Sequence, residues 1–316
     1  MSALSGQQLR SAVAYNRARP YSKADWRKIQ ATIGAGADGV PGPGTAQKVA
    51  AFQKERGLEA DGKVGAGTLE AMNVSSKGTH EVHAIADKNT FYFIADMQVD
   101  ADGAPNAYHP DNIGLDFLAN AGRPGNWFGI ATDDRGEPYI QKEGKYAGYY
   151  ISTTGFVNGK YKPDDARRYV DSSTIPYFVL PRNFKSLAPG ADAMRKGDLG
   201  AVIYESDFMA GASVSQLVYA IYGDVGPTHT PEKNHLGEGS IALAKALGHN
   251  PLVNRRGHLR ALRSITTELV YILFPGSGTG KHLSADEIDQ RGQAALEERG
   301  GEELLATIRA ELQHDH

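Results

Sequence analysis

Two carboxylates in segment 217–248 have the chemistry and the spacing for acid–base work. Asp224 follows an apolar run, 217–222, that reads as a strand, and Gly223 and Gly226 free the backbone to turn beside it. Glu238 stands between Gly237 and Gly239, just ahead of an apolar helix over 241–247 with Ser240 as N-cap and Gly248 as the C′ residue. Such a pair suits hydrolysis of a glycosidic bond, in which one group protonates the leaving oxygen and the other activates water or attacks carbon. The same two residues also read as a solvated turn acid and a helix-start acid that satisfies the dipole, and spacing alone does not choose. A helix start favours the charged form of Glu238, which suits a base. A neighbouring carboxylate would push Asp224 up, which suits the acid.

Other residues compete for roles. His229, Glu232 and His235 lie between the two acids and offer three zinc ligands, but Pro231 opposes one helix that would align them, so a loop over the groove is expected and no metal. Gln98, Asp100, Asp102 and Gly103 imitate the start of a calcium loop, yet its twelfth position is His109, which removes the bidentate ligand; a strand-ending turn is expected. Asp96 precedes that turn as a third acid for the groove. Tyr108, Trp127 and Tyr177 are the expected stacking partners for sugar rings, core packing being the alternative for each; Trp127 sits in a Gly-Arg-Pro-Gly-Asn-Trp loop that favours exposure.

The elements that must position these groups fall in three parts. Residues 37–45 (ADGVPGPGT) recur at 60–68 (ADGKVGAGT), a near-repeat of one turn and one short helix. Trp26, Ile29, Gln30 and Ile33 mark a first helix, Thr45 caps a second carrying Val49 and Phe52, and Thr68 caps a third turn with Leu69 and Met72. The polar stretch NVSSKGTH supplies a linker at 74–80. Short β-branched or aromatic runs at 91–99, 148–153, 176–180, 201–205, 217–222 and 268–274 then predict six strands, hence a small closed barrel or sandwich over 81–283. Helices return in a tail over 284–316, opened by a Ser284–Glu287 capping box and broken at Gly300–Gly301.

Bulk composition excludes several classes. The 316 residues carry a net charge of −3, which gives no general field for nucleic acid, and they contain no cysteine, hence no disulfide and no thiolate chemistry. No apolar run reaches the roughly 20 residues of a membrane span. No cofactor is implied. The first twenty residues lack the apolar core of a secretory signal, so action on a polymer outside the cytoplasm implies export by a secretion system or by lysis.

Two resemblances sharpen this reading. WRKIQ, ADGVPGPGT, AAFQKERGL and ADGKVGAGTLEAM, over about residues 22–73 of a first domain spanning 1–73, resemble the small helical peptidoglycan-binding domain of cell-wall enzymes, with one extra residue between the glycines and the threonine of each copy. The resemblance implies wall contacts at Asp38 and Asp61. IYGDVGP, LGEGSIALAKALG and VYILFPGSG, with FIADMQVDADGAP, AYHPDNIGLDFLANAG, YYISTTGF and RRYVDSSTIPYFVLP upstream, resemble glycoside hydrolase family 75, the chitosanases. That implies an α+β chain whose main domain is a six-stranded, double-psi-like barrel. It further implies an inverting, endo-acting hydrolase of β-1,4 amino-sugar chains with its two essential acids at Asp224 and Glu238. A long basic loop, 251–267, departs from the family; its Arg255, Arg256, Arg260 and Arg263 suit an anionic wall polymer, where chitosan is a polycation. Peptidoglycan is therefore the expected substrate, in a secreted antibacterial effector or lysin with a cognate immunity protein as partner. A chitosanase, a lytic transglycosylase and a non-catalytic wall-binding protein are the alternatives.

Overall fold

The computed structural model describes residues 4–17, 21, 23–65, 68, 69, 72, 81–188, 194–230 and 233–314. The chain divides into two compact units, Met1–Gly78 and Thr79–His316. The expected linker at 74–80 lies outside the described residues.

The first unit is built from helices Gly6–Arg17, Lys23–Thr32 and Pro43–Glu55 around a core of Trp26, Ile29, Ile33, Val49, Val64 and Met72. The near-repeat recurs here as hydrogen bonding. Gln30 Nε2 donates to Asp38 Oδ1, the Val40 carbonyl and Thr45 Oγ1, while its Oε1 accepts the Gly39 N–H. Shifted by 23 positions, Gln53 Nε2 donates to Asp61 Oδ1, the Lys63 carbonyl and Thr68 Oγ1, while Gln53 Oε1 accepts the Gly62 N–H. Each glutamine is buried, so its amide closes the turn from inside, every polar atom partnered. One expectation changes: Thr45 is not a helix cap, because the helix starts at Pro43 behind Gly42 and the Thr45 hydroxyl is held by Gln30. Asp38 and Asp61 hold the turns, each Oδ1 also accepting a backbone N–H two residues on.

In the second unit we number the strands β1 His83–Ile85, β2 Thr90–Asp100, β3 Gly122–Arg123, β4 Asn126–Trp127, β5 Tyr177–Pro181, β6 Leu199–Tyr204, β7 Val218–Gly226, β8 Glu238–Ser240, β9 Leu252–Arg255, β10 His258–Ala261 and β11 Ile265–Phe274. The main sheet runs β1-β2-β11-β6-β7-β5-β8, and β8 pairs back onto β2, so six strands close into a barrel. Closure removes every edge from those six strands. The β5–β7 and β8–β2 pairings are parallel and the other four antiparallel.

Alternation at period two divides the wall between two cores. Tyr92, Ile94, Val179, Ala201, Ile221 and Ile272 share one with the helices Ala285–Glu297 and Glu302–His314. Phe91, Phe93, Phe178, Leu180, Val202 and Leu273 share the other with Leu243 and Ala244. The tail is thus part of the barrel unit's core. Its first helix opens with the Ser284–Glu287 capping box, and Gly300 and Gly301 break it with φ of 110° and 51°. Of the six expected strands, 148–153 is not in the barrel and contributes only the isolated bridges Ile130–Ser152 and Ile140–Tyr150. The sixth place belongs to β8, a three-residue strand that its flanking glycines hide from pattern reading.

Candidate active site

Asp224 and Glu238 come together through β5. Val179 pairs with Asp224 of β7 on one side and with Glu238 of β8 on the other. The β5–β7 register slips between Phe178 and Val179, because Gly223 is an extra residue opposite no partner. This bulge resets the alternation and re-aims the next side chain, Asp224, which is half-buried where a regular strand would continue the buried run. A Cβ at 223 would meet the Tyr177 Cβ at 2.5 Å, so glycine is what fits. Gly237 does the same for Glu238: its φ is 82°, and a Cβ there would stand 2.0 Å from the Asp96 carbonyl oxygen. Ser240 then caps the helix Ile241–Ala246 by accepting the Leu243 N–H, and Gly248 follows it with φ 79°.

The two acids do not stand alone. Asp100 and Asp116 act electrostatically on one or both of them, and Asp224 in turn acts on Asp102, making a cluster of five carboxyl groups. Two buried tyrosines thread it. Tyr177 Oη lies 2.9 Å from Asp100 Oδ2, and Tyr108 Oη lies 2.6 Å from Asp102 Oδ1 and 3.3 Å from Asp116 Oδ2. Tyr108 and Tyr177 are 2% and 0% exposed, which corrects their expected role: no ring face is open to a sugar, and both serve through their hydroxyls. Burial first, then Asp100, pushes Asp224 up to about 8, against the lowering pull of the Val225 and Gly155 N–H groups and of Lys196. Those two amides donate to Asp224 Oδ1 at 2.7 and 2.6 Å, leaving Oδ2 for other partners. A Cβ at Gly155 would come within 3.1 Å of that same Oδ1, so a bare backbone is needed for the amide to reach it.

Glu238 is raised well above the usual range by burial, then by Asp100, Asp224 and Asp116. This corrects the expectation that a helix start would favour its charge. The helix has six residues, and desolvation with three like charges outweighs its dipole. Asp96 is also raised, to about 6, but the like charge acting on it is Glu268. Asp100 ends β2, and its Oδ1 accepts the Asp102 N–H at 2.7 Å, an Asx turn in place of a calcium loop. His229 Nδ1 accepts the His235 N–H at 3.2 Å, while Glu232 lies outside the described residues.

Aromatic exposure falls one residue from where it was expected. Trp127 is half-buried against Tyr150, with ring centroids 6.0 Å apart. Its neighbour Phe128 is 70% exposed, the most of any large apolar side chain among the described residues. Phe128 is held by its N–H on the Ala121 carbonyl and its carbonyl on Thr153 Oγ1. Gly129 follows, and a Cβ there would be 3.4 Å from Asp102 Oδ1, so Phe128 flanks the acid cluster. The signal for it in the sequence was the loop around Trp127; which of two adjacent aromatics turns outward depends on strand β4.

The basic loop forms the hairpin β9–β10, whose turn residues Arg256 and Gly257 both have positive φ, 54° and 85°. Arg260 is not a surface cation: it is 5% exposed, donates to the carbonyls of Asp116 (2.7 Å) and Asn112, and stacks over Phe117 at 4.6 Å. Arg255 reaches the same ring at 5.7 Å. The hairpin is therefore rooted on the segment that carries Asp116.

Two carboxyls on strands either side of β5 in a closed barrel, one of them receiving amide N–H groups, have the chemistry that hydrolysis of a glycosidic bond requires. Residues 128–305 match the family described as fungal chitosanase of glycosyl hydrolase group 75, more than half of the chain, and the chain belongs to that family. Residues 29–72 match a putative peptidoglycan binding domain. No curated protein matches the chain.

Proposed function

We propose that the protein hydrolyses the β-1,4 amino-sugar backbone of peptidoglycan by an inverting mechanism, with Glu238 as proton donor and Asp224 as base. The observation that carries the roles is the contrast between the two carboxyls. Asp224 receives two amide N–H groups and the field of Lys196, all of which favour its charged form. Everything acting on Glu238 favours its neutral form. Of the two, Asp224 therefore gives up its proton first and Glu238 keeps its own, the reverse of the order suggested by the helix dipole. Glu238 protonates the glycosidic oxygen, and Asp224 takes a proton from the water that attacks the anomeric carbon.

Two features support the wall polymer as substrate: the peptidoglycan-binding match at 29–72 and the exposed Arg255 and Arg256 on a hairpin rooted beside Asp116. The carboxylates of lactyl and peptide branches would find those guanidinium groups. Phe128 offers a flat apolar face to a pyranose ring. A second reading, chitosan, is favoured by the five clustered carboxyls, which suit a polycation. Digesting purified sacculi and chitosan in parallel, with products identified by mass, decides between them. Reducing ends from sacculi support the proposal; anhydro ends, or release from chitosan alone, would sink it. Acting on a wall polymer, the enzyme works outside the cytoplasm of its target, as an antibacterial effector or lysin. Co-purification of a small neutralising protein that blocks digestion would support the effector role.

A further inference from the structure

Tyr177 has one hydroxyl proton and two close oxygens that both require one. Its Oη lies 2.9 Å from Asp100 Oδ2 and 2.9 Å from the carbonyl oxygen of Asp102, and the side chain is fully buried. A carbonyl has no proton to give. Both contacts are hydrogen bonds only when Tyr177 donates to the Asp102 carbonyl and Asp100 Oδ2 itself carries a proton, donated to Tyr177 Oη. Were Asp100 ionised, one buried oxygen pair would face each other with no proton between them, the situation buried polar groups avoid. The other oxygen of Asp100 fits the same picture: Oδ1 accepts the Asp102 N–H at 2.7 Å. One oxygen accepts and one donates, as in a carboxylic acid.

We propose that Asp100 serves the hydrolase as a neutral carboxylic acid, a positioning residue whose proton, donated to Tyr177, fastens the 100–102 turn against β5. The inference rests on the reading of Asp224 and Glu238 as the reacting pair. In the parallel β2–β8 pairing Gln98 stands opposite Glu238 and Asp100 opposite Ser240, which sets Asp100 one strand away from the proton donor. The groups around Asp100 are Tyr177 from β5, Asp224 from β7, Glu238 from β8, and Asp102 and Asp116 from the segment after β2. The cations nearby act on others, Lys196 on Asp224 and Arg260 on Asp116. A neutral Asp100 removes the like charge that pushes Asp224 up, so Asp224 ionises more readily, where the attacking water needs it. Burial drives Asp100 up to about 6, so below that pH the neutral form is the working one. Above it, the added charge supports the proton on Glu238.

Asp100→Asn tests this, because asparagine is a permanently neutral copy: Nδ2 donates to Tyr177 and Oδ1 accepts the Asp102 N–H. On soluble glycan oligomers at pH about 5, kcat of this variant should stay within roughly threefold of wild type. Above pH about 6 the profiles should part, the variant's alkaline limb lying at lower pH because Glu238 loses a neighbouring charge. Tyr177→Phe, which removes the partner, should lower kcat roughly tenfold with KM little changed. An infrared difference spectrum, wild type minus Asp100→Asn at pH 5, should show a protonated-carboxyl carbonyl band. A folded Asp100→Asn protein as inactive at pH 5 as Asp224→Asn, or a difference spectrum without that band, overturns the proposal. If instead Asp224→Asn and Glu238→Gln hydrolyse like wild type, it is the reading of the catalytic pair that fails.

Discussion

Asp224 and Glu238 flank a single residue, Val179, from opposite sides of its strand. Two strand spacings of about 4.8 Å put their α-carbons on the order of 10 Å apart, room for a water between carboxyl and sugar. Proton NMR of the first product formed from a β-linked oligomer should show the α-anomer; initial β-anomer would mean retention and a nucleophilic role for one acid.

Amide substitution separates chemistry from folding. Asp224→Asn and Glu238→Gln should each lower kcat by at least about a thousandfold, with unchanged far-ultraviolet circular dichroism. Loss from only one of the two would break the assignment of a pair.

The cluster makes the barrel less stable as pH rises. Burial pushes Asp100 up to about 6 and Asp224 up to about 8, above the ordinary 3.8, so the native state binds their protons more tightly than the unfolded chain. Stability from these groups is full below the ordinary value and is lost as pH passes through the raised ones. The barrel's melting temperature should fall as pH rises from about 4 to about 8. Asp224→Asn should flatten the slope and melt higher than wild type at the upper end. A flat wild-type profile would contradict this.

Asp116 tunes the proton donor at a distance. Its charge is among those that raise Glu238. Asp116→Asn should therefore move the alkaline limb of kcat/KM to lower pH, leaving the acid limb closer to wild type. Movement in the opposite direction would exclude Glu238 as the group behind that limb.

The arginine hairpin should divide the substrates. Replacing Arg255 and Arg256 together by alanine is expected to slow digestion of sacculi roughly three- to tenfold and to speed chitosan cleavage, since a repulsive rim is removed. Equal slowing on both polymers would point to a structural role for the hairpin.

Much of this was legible from residue order. The Asp-Gly repeat, the Ser240 and Ser284 caps, the glycine break at 300–301 and most barrel strands rest on local rules: which backbone angles a residue tolerates and which period its neighbours keep. Glycines beside each of the two acids mark them as well. Tertiary structure decided the rest, because it depends on what arrives from far along the chain. β8 is a strand only because β2 and β5 pair with it. Thr45 accepts at its hydroxyl an N–H of a glutamine fifteen positions earlier. Tyr108 and Tyr177 read as platforms, yet both are buried and meet the carboxyls that fold beside them through their hydroxyls. The pull on Glu238 changes sign because burial and three distant carboxyls outweigh one short helix, and a charge's environment is a property of the fold.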